Sequence, residues 1–99
     1  MTINKTQENG TLTIALEGRL DTTTAPQLQD ALIPAFDEEK DIKLDFAKLA
    51  YVSSAGLRVL LIGQKTAKAK GAVMTLTGVS EEIMEVFEMT GFANILAVQ

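Results

Sequence analysis

Two adjacent serines, Ser53 and Ser54, stand where a strand pattern changes into a helix pattern, and they are the side chains best placed for chemistry. A hydroxyl at such a junction can cap the helix, accept a phosphate or act as a nucleophile. Two aspartates are the other candidates, because Asp21 follows an earlier strand pattern and Asp45 lies within the strand pattern before the serines. The sequence therefore offers hydroxyl and carboxylate chemistry.

Each candidate also has a simpler structural interpretation. A serine in front of a helix is often only a cap, because its hydroxyl can accept a bond from an amide of the first turn. Asp45 alternates with Leu44 and is more typical of a structural hydrogen-bonding residue than of a reactive one. Asp21 and the serines, in contrast, both follow strand ends, where functional groups gather in α/β sheets. We therefore expect Asp21, Ser53 and Ser54 to be neighbours.

The composition excludes several kinds of chemistry. The 99 residues contain no cysteine and no histidine, which excludes disulfides, thiol nucleophiles, imidazole bases and the usual zinc sites. A formal net charge of −4 gives no attraction to nucleic acid or to an anionic membrane. We expect no metal, no cofactor, no nucleic-acid partner and no membrane partner.

Length and hydropathy predict a single domain over residues 1–99. The amino-terminal residues lack the apolar core of a signal peptide, and the longest apolar run, residues 59–63, is far too short to span a bilayer. The chain is therefore predicted to be soluble, cytoplasmic and monomeric.

A buried strand and a capped helix must position the serines. Residues 42–46 alternate apolar and polar side chains, which is typical of a strand with one buried face. From Leu57 onward the apolar period becomes helical. This pattern predicts a helix from about Ser54 to Lys70, with Ser53 or Ser54 as its N-cap.

The chain before this unit predicts a hairpin and a first helix. Residues 2–6 indicate a weak edge strand, joined by a turn to a second strand that Gly18 closes. Thr24 and Gln27 have the spacing of a capping box at the start of the helix. Pro34 predicts a kink or a loose last turn in that helix.

The chain after the long helix predicts one more strand and one more helix. Residues 72–76 follow a glycine and are rich in apolar and β-branched side chains, so strand, helix and strand indicate a right-handed parallel crossover. Ser80 is the predicted cap of a third helix that Gly91 ends. Residues 92–98 form either a last edge strand or an extended segment, and the pattern leaves both open.

Three segments together resemble the STAS domain, specifically a bacterial anti-sigma factor antagonist, and the resemblance covers nearly the whole chain. The segments are GRLDTTTAPQL (residues 18–28), KLDFAKLAYVSSAGLRVLL (residues 43–61) and MTLTGVSEEIMEVFEMTGF (residues 74–92). The resemblance implies an α/β fold with a mixed sheet of four or five strands and about four helices, packed mainly on one face.

In that family a serine at the start of the second main helix is phosphorylated by a partner that is both anti-sigma factor and serine kinase. The family motif Asp-Ser-Ser/Thr-Gly-Leu-Gly corresponds here to residues 53–58, which lack the aspartate and the last hydroxyl. Alignment on Gly56 and Leu57 implies Ser54 as the phosphoacceptor, with Ser53 in reserve. Asp21 matches the family's aspartate after the second strand.

The resemblance also implies the partners and a partner-binding surface. It implies that the chain, while unphosphorylated, binds an ATP-binding anti-sigma factor kinase of histidine-kinase-like fold and thereby releases a sigma factor, and that a serine phosphatase reverses the modification. The chain itself is predicted not to be an enzyme. The surface comprises nine residues at the two strand ends: Asp21, Thr22, Thr23, Ser53, Ser54, Ala55, Gly56, Leu57 and Arg58.

Three other interpretations explain parts of the sequence. An enzyme with Ser54 as nucleophile has no histidine to activate it, and the nearest lysines lie about 11 or more residues along the helix, roughly 16 Å away. A receiver domain phosphorylated on Asp45 needs an acidic cluster after the first strand, which residues 2–10 do not show. An accessory subunit of a lipid or anion transporter, or another phospho-switched binding module, stays open as the alternative.

Overall fold

Five strands form one mixed sheet, in the order in which they occur along the chain. The structure is a computed structural model that covers all 99 residues. β1 pairs antiparallel with β2, and β2 to β5 run parallel to one another. The strand bounds are β1 Thr2–Glu8, β2 Thr11–Leu20, β3 Asp41–Val52, β4 Val73–Thr77 and β5 Ala97–Val98.

Three α-helices and two short 3₁₀ helices connect the strands. The α-helices are α1 Ala25–Leu32, α2 Ser54–Ala69 and α3 Glu81–Thr90, and the 3₁₀ helices cover Pro34–Asp37 and Phe92–Asn94. The predicted mixed α/β sheet is confirmed, and the count of α-helices is one below the expected number. No helix is both long and apolar enough to cross a lipid bilayer.

The helices and one face of the sheet share a single apolar core. Alternate residues of the central strands are fully buried, and they join helix side chains such as Leu28, Leu60 and Phe87 in one cluster of 21 buried residues. The residues between them, on the other face of the sheet, are exposed or half-buried, apart from Thr75. Helix burial is therefore concentrated on one face, as the resemblance implied.

β2 does not end at Gly18, contrary to the prediction. The strand continues to Leu20, and Gly18 adopts a φ of 108° inside it, which side chains rarely tolerate. At two places around Gly18, β3 has one residue more than β2, so the register shifts. Gly18 therefore permits an irregular backbone within β2 and does not end the strand.

The predicted capping box of α1 is also wrong. The Thr24 hydroxyl makes no cap bond and instead donates to the carbonyl of Arg19 at 2.8 Å, while the Gln27 amide donates to the carbonyl of Met1 at 3.0 Å. The chain is already turned at Thr24, because the amides of Thr24 and Ala25 both donate to the carbonyl of Asp21. A turn that begins at Asp21 therefore leads into α1 in place of the predicted capping box.

Two remaining predictions near the helix ends are resolved. α1 stops at Leu32 and Pro34 begins a 3₁₀ helix, which is the loose end expected from a proline without an amide hydrogen. In the tail, Ala97 and Val98 pair parallel with β4, so its last residues form a short edge strand.

Candidate functional site

The carboxyl ends of β2 and β3 lie side by side at one edge of the sheet. Leu20 is in register with Val52, and the Ser53 amide donates to the Leu20 carbonyl at 2.9 Å. Asp21 follows Leu20 in the sequence, and Ser53 and Ser54 follow Val52. The structure therefore brings together the Asp21 loop and the serine pair, as expected for parallel neighbouring strands.

Gly56 allows the first turn of α2 to lie directly against β2. A β-carbon at this position would be 2.7 Å from Leu20 Cγ, which is too close for real atoms, and 3.1 Å from the Leu20 carbonyl oxygen, which is a tight contact. Leu20 is fully buried and has no room to move aside. The position of the serines thus depends on the absence of a side chain at residue 56.

The two serines have different environments. Ser53 is half-buried with an extended backbone, and its Oγ accepts the Gly56 amide at 3.3 Å, so Ser53 is the N-cap of α2. Ser54 is the first residue of the helix, is exposed, and its hydroxyl has no hydrogen-bond partner within the chain. The choice between the two caps, which the sequence left open, is settled in favour of Ser53.

Two free backbone amides accompany the exposed hydroxyl. The first amides of any α-helix have no acceptor inside the helix. In α2 the Ser53 hydroxyl accepts the amide of Gly56, and the amides of Ser54 and Ala55 have no acceptor within the chain. Together with the helix dipole, they favour an anion at this point.

Asp21 is held as an anion within its own loop. Its Oδ1 accepts the hydroxyl of Thr23 at 2.7 Å and the amides of Thr23 and Thr24 at 3.0 and 3.2 Å. The Thr23 hydroxyl, followed by these other donors, holds the pKa of the Asp21 carboxyl below its usual value, against an opposing effect of partial desolvation. The carboxylate therefore fixes the shape of the loop that faces the serines.

The only two arginines of the sequence lie on the two elements that meet at this edge. Arg19 stacks its guanidinium 4.2 Å above the ring of Tyr51, and its Nε is 3.8 Å from Asp21 Oδ2. Arg58 lies one helical turn after Ser54, is exposed and forms no salt bridge. The Arg19–Tyr51 pair was not predicted, since the register shift in β3 that creates it leaves no clear sequence signal.

An open groove of about 390 Å³ lies between α1 and α2 beside the serines. Pro26, Ala55 and Val59 contribute apolar surface to it, and Thr22 and Arg58 contribute polar groups. The groove continues the exposed surface around Ser54 toward α1. It is large enough to receive a side chain of a partner protein.

The predicted partner-binding surface needs one correction. Thr22, Thr23, Ser54 and Arg58 are exposed, and Asp21, Ser53 and Ala55 are half-buried. Gly56 and Leu57 are buried against the core, so they position α2 and offer little to a partner. Their burial follows from the close contact between α2 and β2.

Asp45 lies away from this edge. Its Oδ1 accepts the amide of Ala47 at 2.9 Å, which confirms the expected structural role. The carboxylate lines a separate hollow of about 150 Å³ on the open face of the sheet, together with Asn4, Glu17 and Lys48. No three carboxylates of the chain cluster closely enough to form a metal site.

The family model described as "Mlab, STAS domain" matches residues 3–97. The chain belongs to the STAS domain family. It is 35% identical over 91 residues to BtrV of Bordetella bronchiseptica, which is described as an anti-sigma factor antagonist, covering 91% of this chain and 78% of that one. It is 26% identical over 92 residues to the anti-sigma-B factor antagonist of Bacillus subtilis, covering 93% and 84%.

Solved STAS structures share the fold at low sequence identity. An anti-sigma factor antagonist of Thermotoga maritima superposes with a TM-score of 0.90 at 15% identity, covering 97% of this chain and 84% of that one. Phosphorylated SpoIIAA of Bacillus superposes with a TM-score of 0.76 at 20% identity, covering 99% of this chain and 91% of that one. A sulfate transporter family protein of Wolinella succinogenes superposes with a TM-score of 0.81 at 21% identity, covering 95% of this chain and 80% of that one. The resemblance noted in the sequence is thereby confirmed.

Proposed function

We propose that the chain is an anti-sigma factor antagonist that binds an anti-sigma factor serine kinase while Ser54 is unphosphorylated. Phosphorylation of Ser54 by that kinase ends the binding, and a serine phosphatase restores it. The chain is the substrate in this cycle and is not itself an enzyme. The curated relatives described as anti-sigma factor antagonists support the class of function.

The exposed, unbonded hydroxyl of Ser54 is the observation that carries the choice of phosphoacceptor. A kinase must reach the hydroxyl from solvent and align it with ATP, which a free side chain on the first turn of a helix permits. Ser53 is half-buried, and its hydroxyl is already used as the cap of α2. Transfer to Ser53 would first have to break the hydrogen bond between its hydroxyl and the Gly56 amide, whereas transfer to Ser54 leaves that bond in place.

The fold tolerates a phosphate on Ser54. The modification adds a charge of about −1.5 to −2 at neutral pH. At the amino terminus of α2 this charge meets the open amides of Ser54 and Ala55 and the positive end of the helix dipole. The phosphorylated chain should therefore keep its structure, and the effect of the modification falls on binding.

The partner surface explains why binding is sensitive to that charge. Ser54 is exposed and directly precedes Ala55, which lines the groove between α1 and α2, so a phosphate on Ser54 adds charge to the surface beside this groove. A complementary partner would have to desolvate the added anion, and Asp21 already supplies a negative charge nearby. Phosphorylation can thus act as an interaction switch without a large conformational change.

Co-purification from native cells tests the proposal. The tagged full-length chain with Ser54→Ala should retain an ATP-binding kinase of the anti-sigma factor class, and the Ser54→Asp variant should retain much less of it. Recovery of that kinase equally by both variants would contradict the switch. Failure to recover any such kinase with Ser54→Ala would contradict the proposed partner.

The same experiment separates the second candidate, an accessory subunit of a transporter. Its support is the shared fold with the Wolinella protein, which is described as a sulfate transporter family protein. Recovery of transporter subunits in place of a kinase would favour this candidate.

A further inference from the structure

We propose that Arg58 is the counter-ion of phosphorylated Ser54, with its guanidinium bound to the phosphate across one turn of α2. The pairing rests on the proposed phosphorylation of Ser54, and it gives Arg58 the role of stabilising the phosphate dianion. Residue 58 is arginine in this sequence and glycine in the family motif.

The spacing places the two side chains together. Residues four apart on a helix lie on the same face, with their β-carbons about 5–6 Å apart. Ser54 and Arg58 are both exposed on α2, and Arg58 lines the groove toward Thr22 on the same side of the site. A phosphate on Ser54 extends outward from the helix and comes within reach of the long arginine side chain.

Arg58 is free to take this role. The two salt bridges of the chain are Arg19–Asp21 and Lys70–Asp37, so the guanidinium of Arg58 has no carboxylate partner. Arginine presents paired N–H donors that match two phosphate oxygens, which is the geometry of strong charge-assisted hydrogen bonds.

The other nearby cations are less suitable. Arg19 is held between the Tyr51 ring and the Asp21 carboxylate. Lys65, the first lysine of α2, is 11 residues from Ser54 in the sequence, which is roughly 16 Å along the helix axis. Arg58 is therefore the one unengaged cation of α2 within reach of the phosphate.

This pairing gives phosphorylation a second effect on the surface. The phosphate adds negative charge, and it also takes Arg58 out of the set of groups available to a partner's carboxylates. The modified surface then differs from the unmodified one at two positions, Ser54 and Arg58, although only one of them is modified.

Phosphorus NMR of the full-length chain tests the pairing directly. Phosphoserine is installed at position 54 by semisynthesis or during translation, so that no kinase is needed. The second pKa of phosphoserine is ordinarily about 6, and a bound guanidinium lowers it by favouring the dianion. Arg58→Gln should raise this pKa by about half a unit or more relative to the wild type, and Arg58→Lys should raise it less.

Lys65→Gln is the matched control, since it removes one positive charge from an exposed position of the same helix. At about 0.15 M salt the screening length is about 8 Å, so this change should leave the phosphate pKa almost unaltered. An unchanged pKa in Arg58→Gln, or an equal rise in Lys65→Gln, would overturn the inference. Failure of the proposed function is seen separately, as failure of a kinase to modify Ser54.

Discussion

At the start of α2 the hydroxyl of Ser53 accepts the Gly56 amide, and the neighbouring hydroxyl of Ser54 is exposed to solvent. The first arrangement contributes to stability, because it satisfies an amide that the helix cannot pair internally. The second leaves a hydroxyl available to a partner. Two identical residues therefore have separable roles, and mutations can distinguish them.

Ser53→Ala should lower the free energy of unfolding by about 1 kcal/mol, as is typical for loss of a serine cap. For a domain of this size, the loss corresponds to a fall in Tm of about 4–8 °C. Ser54→Ala should stay within about 0.5 kcal/mol of the wild type, since no contact is lost. Thermal melts of both variants measure the difference. A larger loss in Ser54→Ala than in Ser53→Ala would contradict the assignment of the cap.

Asp21 gives a pH-dependent prediction. Its pKa in the folded chain is lowered, first by the Thr23 hydroxyl, so the unfolded chain binds its proton at a higher pH than the folded chain does. The carboxylate therefore stabilises the fold above the unfolded pKa, and this contribution is lost as the pH falls through the folded pKa. Asp21→Asn should be less stable than the wild type at neutral pH, and the difference should shrink in acid.

Urea unfolding of both proteins, from about pH 7 down to about pH 2.5, measures this difference. The ion pair between Lys70 and Asp37 lowers the pKa of Asp37, so its contribution to the free energy of unfolding is also lost as the pH falls. Because both proteins contain this pair, its contribution cancels in the difference between them. A difference that is constant with pH would show that the Asp21 charge does not hold the loop.

At the scale of elements, the junction of β2 and α2 determines where Ser54 lies. The strand and the helix touch at Leu20 and Gly56, where no side chain larger than hydrogen fits at residue 56. The hydrogen bond from the Ser53 amide to the Leu20 carbonyl fixes the same junction. The position of the exposed serine thus depends on packing behind it.

Gly56→Ala tests this junction. The added methyl group overlaps buried Leu20, and overpacking of this kind costs typically about 1–3 kcal/mol. In a Leu20→Ala background, which lacks the overlapping Cγ and Cδ2 atoms, the same substitution should cost less. Chemical unfolding of the two single variants and the double variant measures the coupling. Additive losses in the free energy of unfolding would show that Leu20 and Gly56 do not together determine the spacing between β2 and α2.

Helix α2 was predicted to within one residue at its carboxyl end, because its N-cap serines and terminal lysines are local signals. The end of β2 was misplaced, since the extra residues that β3 carries at the register shifts are a property of two strands together. The capping box at Thr24 failed because the Asp21 carboxylate and carbonyl already accept the Thr24 amide, while the Gln27 backbone amide donates to the Thr24 carbonyl.

The candidate site also contains features that the sequence predicts and features that it does not. The neighbourhood of Asp21 and Ser54 follows from a general rule for parallel strands, so the sequence predicts it. The stacking of Arg19 on Tyr51 and the close contact of Gly56 with Leu20 depend on the register and the depth of packing. These three-dimensional features have no counterpart in the local spacing of residue types.

At the scale of the whole molecule, the fold gathers exposed polar residues at one edge of the sheet, which is the edge that we propose contacts the partner. The helices bury one face of the sheet, and the exposed residues of the Asp21 loop and of α2 lie together at the carboxyl ends of β2 and β3. A charge placed at this edge should therefore alter binding much more than folding.

Ser54→Asp should weaken binding to the partner kinase by about thirtyfold or more, corresponding to about 2 kcal/mol for an anion that no cation of the partner matches. Its melting temperature should stay close to that of the wild type, because an aspartate in the first turn of a helix is favoured by the dipole. Titration calorimetry with the kinase and a melt of the variant alone measure the two quantities. Glu82→Ala, on the exposed first turn of α3, is a control that should bind normally.

Phosphorylation of the chain by its cognate kinase tests the central claim most directly. After incubation of the full-length protein with kinase and ATP, peptide mass spectrometry locates the modified residue. We predict one phosphate per chain, on Ser54, and no modification of the Ser54→Ala variant. A phosphate on Ser53 or on Thr22, Thr23 or Thr24, or no phosphate at all, would contradict the account.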